Sequence, residues 1–440
     1  MINLINFNFL KSNYLNLLIV ALPLSFIAGN MIINLNVILL LFSSFILYGK
    51  KLLNVRFYLI DKLIILYFFI ILTTAVINDY EFYFDLICGK ENFQTIFKSF
   101  LFIRYLLLYF VIRYLIENKI INLKYFFISC TLASLFVSFD ILYQFINGED
   151  LFGYKSINSG RKLGGPFGDE LIAGGYIQRF SLFSFFLIPV FYKKKFQYLT
   201  KYFIPIFFIV FFISIVLSGN RMPMVMFVFS IFLIILFQKQ TRKFFFPSLV
   251  IFVFLFSLIL NYNKNVKNNF TSFYNQISNT SAVILNQNLK ATKSTQYLRE
   301  FSTFYDTWLM NKFLGGGVKN FRCYCHHRPN IDKNSKFICN MHPHNYYLEI
   351  LTETGIIGLV VILSVFILIL YRSFYSKYFS NLILKENNII VPFIFLFLVE
   401  IFPIKSTGSF FTTGNTTYLI LIMAILIALN NTNNSIENKI

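Results

Sequence analysis

The sequence predicts an all-α protein that crosses a membrane about twelve times, and three observations carry that reading. Hydrophobic residues make up 57% of the chain and charged residues 13%, whereas about a quarter of a soluble domain is charged. The apolar residues gather in runs close to the roughly 20 residues that a bilayer-spanning helix needs. Between the runs, basic stretches alternate with poorer ones, the pattern that sets orientation in multi-pass proteins. A net charge of +20 would also suit a nucleic-acid binder. Here the basic residues sit in short loops between apolar runs, where they act as topology signals, and that weighs against nucleic acid.

In chain order the runs fall near 14–29, 31–49, 60–78, 98–116, 125–146, 171–192, 202–218, 223–238, 244–261, 356–371, 388–404 and 416–430. The first, Tyr14 to Ala28, has the short apolar core of a secretory signal. Ile32 to Tyr48 follows almost at once, which makes the pair a retained helical hairpin. With the N-terminus inside, the inner loops hold Lys50, Lys51 and Arg56; Lys119 and Lys124; Lys193, Lys194, Lys195 and Lys201; Lys239, Arg242 and Lys243; and Arg372 with Lys377. The opposite loops are poorer: Asn30, then 79–97 with Lys90, then 147–170 with Lys155, Arg161 and Lys162, then Asn220-Arg221. The alternation holds through nine spans over 1–261. It places a long segment, 262–355, outside, and spans ten to twelve with a short tail fill 356–440 and return the C-terminus to the cytoplasm.

Within the outer segment, Asn261 to Thr292 is rich in Asn and Ser and is expected to be irregular. Residues 295–312 differ: Tyr297, Leu298, Phe301, Phe304, Tyr305, Trp308 and Leu309 recur at helical spacing, and Gly315-Gly316-Gly317 ends the pattern. This reads as an amphipathic helix lying on the bundle or at the outer interface, with the sole Trp at interface depth.

Candidate functional residues gather on the outer side. Arg221 stands at the outer end of span seven, either as a snorkelling interfacial arginine or as a planar fork for a phosphate. Arg179 falls inside span six, where a charge needs a partner or a function; Arg104 in span four is similar, with Asp140 as a potential partner. Arg161-Lys162 lead into Gly164-Gly165-Pro166-Phe167-Gly168-Asp169-Glu170. Its glycines suit either a close backbone approach or a tight turn in which Asp169 caps span six. Cys88 and Cys130 are isolated, whereas Cys323, Cys325 and Cys339 share the outer segment with His326, His327, His342 and His344. Cys-x-Cys-His-His fits no common structural zinc pattern. An oxidising outer environment instead favours a disulfide from Cys325 or Cys323 to Cys339.

Two of the four histidines lie in Met341-His342-Pro343-His344-Asn345. Pro343 disfavours helix before it, Asn345 can cap a helix over Tyr346 to Thr354, and Gly355 interrupts it. Besides a surface role, a histidine there can act as a general base near neutral pH, and a helix start favours an adjacent anion.

The run His342-Pro343-His344-Asn345-Tyr346-Tyr347-Leu348-Glu349, continued by Glu353-Thr354-Gly355-Ile356-Ile357-Gly358-Leu359, resembles the signature of the bacterial O-antigen ligase and polymerase superfamily. Arg299, Trp308 and Asn311 through Phe321 resemble its arginine and glycine-rich approach. Arg221 after Ser218-Gly219 matches its membrane-edge arginine, and Gly165 through Glu170 resembles a subset of members. Asn220 stands where the family more often has Ser, and Gly315 replaces a proline-led approach. The resemblance implies a GT-C-type integral membrane glycosyltransferase of the bacterial inner membrane. Its donor is a glycan on undecaprenyl diphosphate, and it needs no cofactor or metal. On that footing Arg221, Arg161 and Arg179 hold the diphosphate, His344 is the base, and His342, Asn345, Glu349 and Arg299 support it. The acceptor is lipid A core oligosaccharide, a reading favoured by the long, basic, aromatic-rich outer segment. A glycan acceptor (polymerase) or a protein acceptor (O-oligosaccharyltransferase) uses the same residues. A lipid-linked sugar transporter is the rival class. It would show inverted repeats and interrupted helices at the midplane, whereas no repeat is found here and the notable polar groups gather at the outer face.

Overall fold

A computed structural model of the chain describes residues 2–81, 94–156, 162–192, 197–238, 241–285, 296–329, 339, 344–375, 388–406 and 408–437. Seventeen α-helices are seen among these residues: α1 Ile2–Ala28, α2 Asn30–Tyr48, α3 Leu59–Glu81, α4 Gln94–Phe102, α5 Arg104–Glu117, α6 Leu123–Asn147, α7 Ala173–Phe180, α8 Leu182–Phe191 and α9 Thr200–Leu217; then α10 Arg221–Phe237, α11 Arg242–Tyr262, α12 Lys264–Leu285, α13 Gln296–Met310, α14 Phe321–Tyr324, α15 Tyr346–Leu370, α16 Val391–Glu400 and α17 Thr413–Glu437.

Eight helices among the described residues are long and apolar enough to cross a membrane, and Asn13–Ala28, Arg221–Phe237 and Val391–Glu400 are shorter apolar helices. The sixth expected run is the α7–α8 pair. It passes through Ser181 with helical dihedrals (φ −68°, ψ −25°) and a tightened turn in which Ser184 N donates to Ser181 O at 3.0 Å. The core sits where α16 and α17 thread the bundle. Phe393, Phe395 and Phe397 of α16 are fully buried, and Phe393 packs edge-on against Phe183 and Phe127 at 5.0 and 5.9 Å.

Two charged clusters brace this apolar body. In the first, Arg113 meets Asp61 at 2.5 Å and Glu117 at 2.7 Å, and Tyr109 donates to Asp61 at 2.6 Å. Both Arg113 and Asp61 are fully buried, so each needs the other. The second cluster, around Arg179, belongs to the site described below.

Three expectations fail against the structure. Residues 264–285 form α12, not irregular chain. Val266 and Phe270 face the core, Phe270 meets Phe256 edge-on at 5.3 Å, and buried Asn269 donates to Gly219 O at 3.0 Å. An Asn side chain spent on a tertiary bond no longer competes with its own backbone. Arg104 does not pair with Asp140. It donates to Leu101 O (2.7 Å) and Tyr105 OH (2.9 Å), while Asp140 accepts from Leu151 N at 2.8 Å. Nor does Asp169 cap α7, whose N-cap position is Ile172, a residue with no side-chain cap to offer. Asn220 serves there instead, accepting from Gly174 N at 3.1 Å and donating to Leu171 O at 2.9 Å.

Candidate active site

The histidine stretch enters the described structure at His344, an exposed residue in the left-handed region (φ 52°) just before α15. Asn345 caps α15, its Oδ1 accepting from Tyr347 N (3.0 Å) and Leu348 N (3.2 Å). Its Nδ2 donates to Pro403 O at 2.7 Å. Tyr346 OH donates to Glu400 Oε1 at 2.7 Å, and Tyr347 OH donates to Ile401 O. Three consecutive residues therefore tie the helix start to the turn after α16, and that fixes where His344 stands.

Farther along α15 the helix breaks at Gly355 (φ 67°, ψ −173°). The break frees backbone groups that the glycine-rich stretch takes up. Gly316 N and Gly317 N donate to Thr352 O (2.8 Å) and Glu353 O (2.9 Å), and Ile356 N donates to Lys312 O at 2.9 Å. Both sides need glycine here: a Cβ on Gly315 would lie 2.6 Å from the backbone of Glu353–Gly355, and one on Gly355 would strike the Phe313 carbonyl. Buried Glu349 accepts from Ser409 Oγ and Phe410 N, and Glu353 accepts from Lys319 N at 2.8 Å. Gly355→Ala combines a clash with a left-handed backbone, and it is expected to cost about 3 kcal/mol or more. The loss of thermal midpoint in detergent measures it.

On the opposite side of the α16 turn, Arg179 reaches Glu400 (Nη2–Oε1 2.7 Å, Nε–Oε2 3.3 Å) and donates to Asn415 Oδ1 at 2.7 Å and Tyr346 OH at 3.3 Å. Its guanidinium lies 5.0 Å from the Tyr418 ring centre. Lys405 Nζ meets Glu400 Oε2 at 2.6 Å. Two cations thus share one carboxylate, leaving a net single positive charge. Arg179 and Lys405 line a cavity of about 740 Å³. Its walls come from the end of α1 and the start of α2 (Phe26 to Ile33), from Tyr154 and 166–172, from α7, from Asn220, Met222 and Pro223, and from 405–406 and 408–415. Those segments are the loops, and the helix ends beside them, that the charge alternation assigns to a single face.

Burial, with a smaller contribution from Arg179, outweighs the pull of Glu400 and brings Lys405 from an ordinary value near 10.5 down to about 8. Above that pH the wall loses its net positive charge. Anion binding is then expected to weaken as pH rises through about 8, and Lys405→Arg, always charged, should remove the inflection. Titrating inorganic pyrophosphate against the purified protein between pH 6.5 and 9.5 checks it. For stability the sign is opposite: between about 8 and 10.5 the folded chain has released this proton and the unfolded chain has not, so this group favours folding more as pH rises across that window.

The other sequence candidates are scattered differently. Arg221 faces α12, donating to Asn269 Oδ1 (2.8 Å), Ser272 Oγ (2.6 Å) and Gln276 Oε1 (3.1 Å) on one helical face, while its neighbours Asn220, Met222 and Pro223 line the cavity. Arg299 lies on the exposed face of α13. Arg161 and His342 lie outside the described residues. Cys325 is bonded to Cys339, Cys323 is a free thiol, and Arg328 Nη1 donates to Cys325 O at 2.9 Å beside the bridge. The bridge packs with Phe304, Phe321 and Leu348, against the first turns of α15. Sequence reasoning passed over Glu400 and Lys405. A carboxylate inside the apolar run 388–404 was the available signal, since such a charge requires a partner or a role.

Fold and site together define a multi-pass helical membrane protein with a cation-walled cavity beside a histidine-bearing helix start. Residues 206–363, from α9 into α15, match the family model described as O-antigen ligase, which bears out the resemblance to the O-antigen ligase and polymerase superfamily. The match contains Arg221, the glycine clamp and His344; Arg179, Glu400 and Lys405 lie outside it. No curated protein matches the chain.

Proposed function

We propose that the protein is a GT-C-type glycosyltransferase that moves a glycan from undecaprenyl diphosphate to a hydroxyl of lipid A core oligosaccharide at the outer face of a bacterial inner membrane. The observation that carries this reading is the Arg179–Lys405 wall, joined through Tyr346 and Glu400 to the start of α15 where His344 stands. The cavity is within the usual size range for a ligand site. Its apolar side, with Phe26, Ile33 and Met222, suits the first isoprene units.

The acceptor hydroxyl attacks the anomeric carbon of the donor sugar as the bond to the diphosphate oxygen breaks. His344 takes the hydroxyl proton. The departing diphosphate carries away the bonding pair, and the fixed charges of Arg179 and Lys405 stabilise it. Lysine and arginine groups that are already in place cost no reorganisation at that moment.

The test is direct. Purified protein is incubated with undecaprenyl-diphosphate-linked glycan, in one arm with lipid A core and in others with free glycan or a protein acceptor. Glycosylated lipid A core is the expected product. A longer lipid-linked glycan would make the protein a polymerase, a glycoprotein would make it an O-oligosaccharyltransferase, and no transfer in any arm would overturn the reading.

A further inference from the structure

The cavity carries charges of both signs, and the chemistry above uses only one of them. Asp169 and Glu170 line it just ahead of α7, and both are exposed. Neither carboxylate is spent on an ion pair among the described residues. Arg179 and Lys405 lie deeper, their side chains 15% and 7% exposed. Helix α7 separates the two groups: Arg179 follows Ala173, the first residue of the helix, by roughly 9 Å at the helical rise of about 1.5 Å per residue. The cavity is thus cationic at depth and anionic at its rim.

The sign of the rim decides what it takes. A carboxylate only accepts hydrogen bonds, as does an ionised diphosphate, and like charges repel. Hydroxyl groups are the complement: each donates, and a bond to a carboxylate is about twice as strong as a neutral one. Beside the carboxylates stands the ring of Tyr154, 50% exposed and also on the cavity. It packs on Gly168, where a Cβ would come within 3.2 Å of the ring. The backbone of Tyr154 is fixed, its N donating to Asp150 Oδ1 at 2.7 Å and its carbonyl accepting from Asp150 N (2.9 Å) and Gln144 Nε2 (3.1 Å). A held, half-open aromatic face beside acceptors for hydroxyls suits a sugar ring, which has apolar C–H faces and a girdle of hydroxyls.

We infer that Asp169, Glu170 and Tyr154 form a subsite for the sugar bonded to the donor's diphosphate, an inference that rests on the glycosyltransferase reading above. With the diphosphate on Arg179 and Lys405, the next group along the donor reaches toward the rim. Repulsion by the two carboxylates keeps the phosphates from settling there instead. The two ends of the cavity therefore set the direction in which the donor lies.

Two probes differ only in that sugar: undecaprenyl diphosphate, and undecaprenyl diphosphate bearing a single N-acetylglucosamine. Each is titrated against the full-length protein, a double variant with Asp169→Ala and Glu170→Ala, and the single variants Tyr154→Phe and Tyr154→Ala. The thermal midpoint confirms that each variant folds. The native protein is expected to prefer the sugar-bearing probe by about tenfold or more, the scale of a hydrogen bond to a charged group. The double variant should bind the two probes alike, and it should hold the sugar-free probe as well as before or tighter, because the repulsion is gone. Tyr154→Phe should keep the preference, and Tyr154→Ala should lose part of it; full preference in Tyr154→Ala would remove the ring from the subsite. A native protein with no preference, a double variant that keeps it, or a double variant that binds the sugar-free probe more weakly would overturn the subsite while leaving the glycosyltransferase reading in place. A native protein that binds neither probe removes that reading, and this inference with it.

Discussion

His344→Ala is expected to lower transfer by roughly 10²- to 10⁴-fold, the usual share of a positioned general base, while membrane insertion and donor binding persist. Asn345, Tyr346 and Tyr347 carry the bonds to Pro403, Glu400 and Ile401, so removing the imidazole leaves the helix start tied down. His344 itself has φ 52°, and that raises a second route to a loss of activity, through the backbone. Asn is comfortable in the left-handed region and lacks a base of suitable strength. His344→Asn should therefore be as inactive as His344→Ala. Normal activity in His344→Asn would mean that the backbone, not proton transfer, explains the alanine variant. Full activity in both would eliminate His344 from the chemistry. kcat/KM with matched, normally expressed protein is the readout.

Much of the architecture was legible because a bilayer imposes length and polarity on each helix. Each of the twelve apolar runs falls on helix, and Gly355 and Asn345 stand at the break and the cap that their residue types suggest. What failed was composition read without periodicity. The Asn- and Ser-rich stretch after Asn261 still carries Val266, Phe270, Phe273 and Ile277 at helical spacing, and Val266 and Phe270 pack on the core. The site was only partly legible for a different reason. Arg179 announced itself as a charge in an apolar run, but its carboxylate is 221 residues away along the chain, and pairing over such a distance leaves no local pattern. Asn220 shows the same limit. As a departure from the family's pattern it read as a neutral exchange, whereas it ties the start of α7 to the start of α10.

Arg179 gives the other large effect, and its partners make charge and geometry separable. Arg179→Met leaves Glu400, 1% exposed, with Lys405 as its sole remaining cation in the cluster. Breaking a buried pair from one side costs about 3–5 kcal/mol, so this variant is expected to lose stability as well as transfer. Removing the carboxylate too, in Arg179→Met with Glu400→Gln, restores the balance. The wall then holds Lys405 alone and keeps the net single positive charge of the native cluster. Most of the lost stability should return, since replacing both members of a buried pair is often neutral. Transfer should not return, because a lone ammonium lacks the planar fork that grips two phosphate oxygens at once. We expect kcat/KM in the double variant to stay about 10²- to 10³-fold below native, the cost of losing one preorganised group on a developing charge. Recovery of transfer together with stability would show that the wall contributes only its net charge, and Arg179 would then be a structural residue and not the diphosphate's clamp.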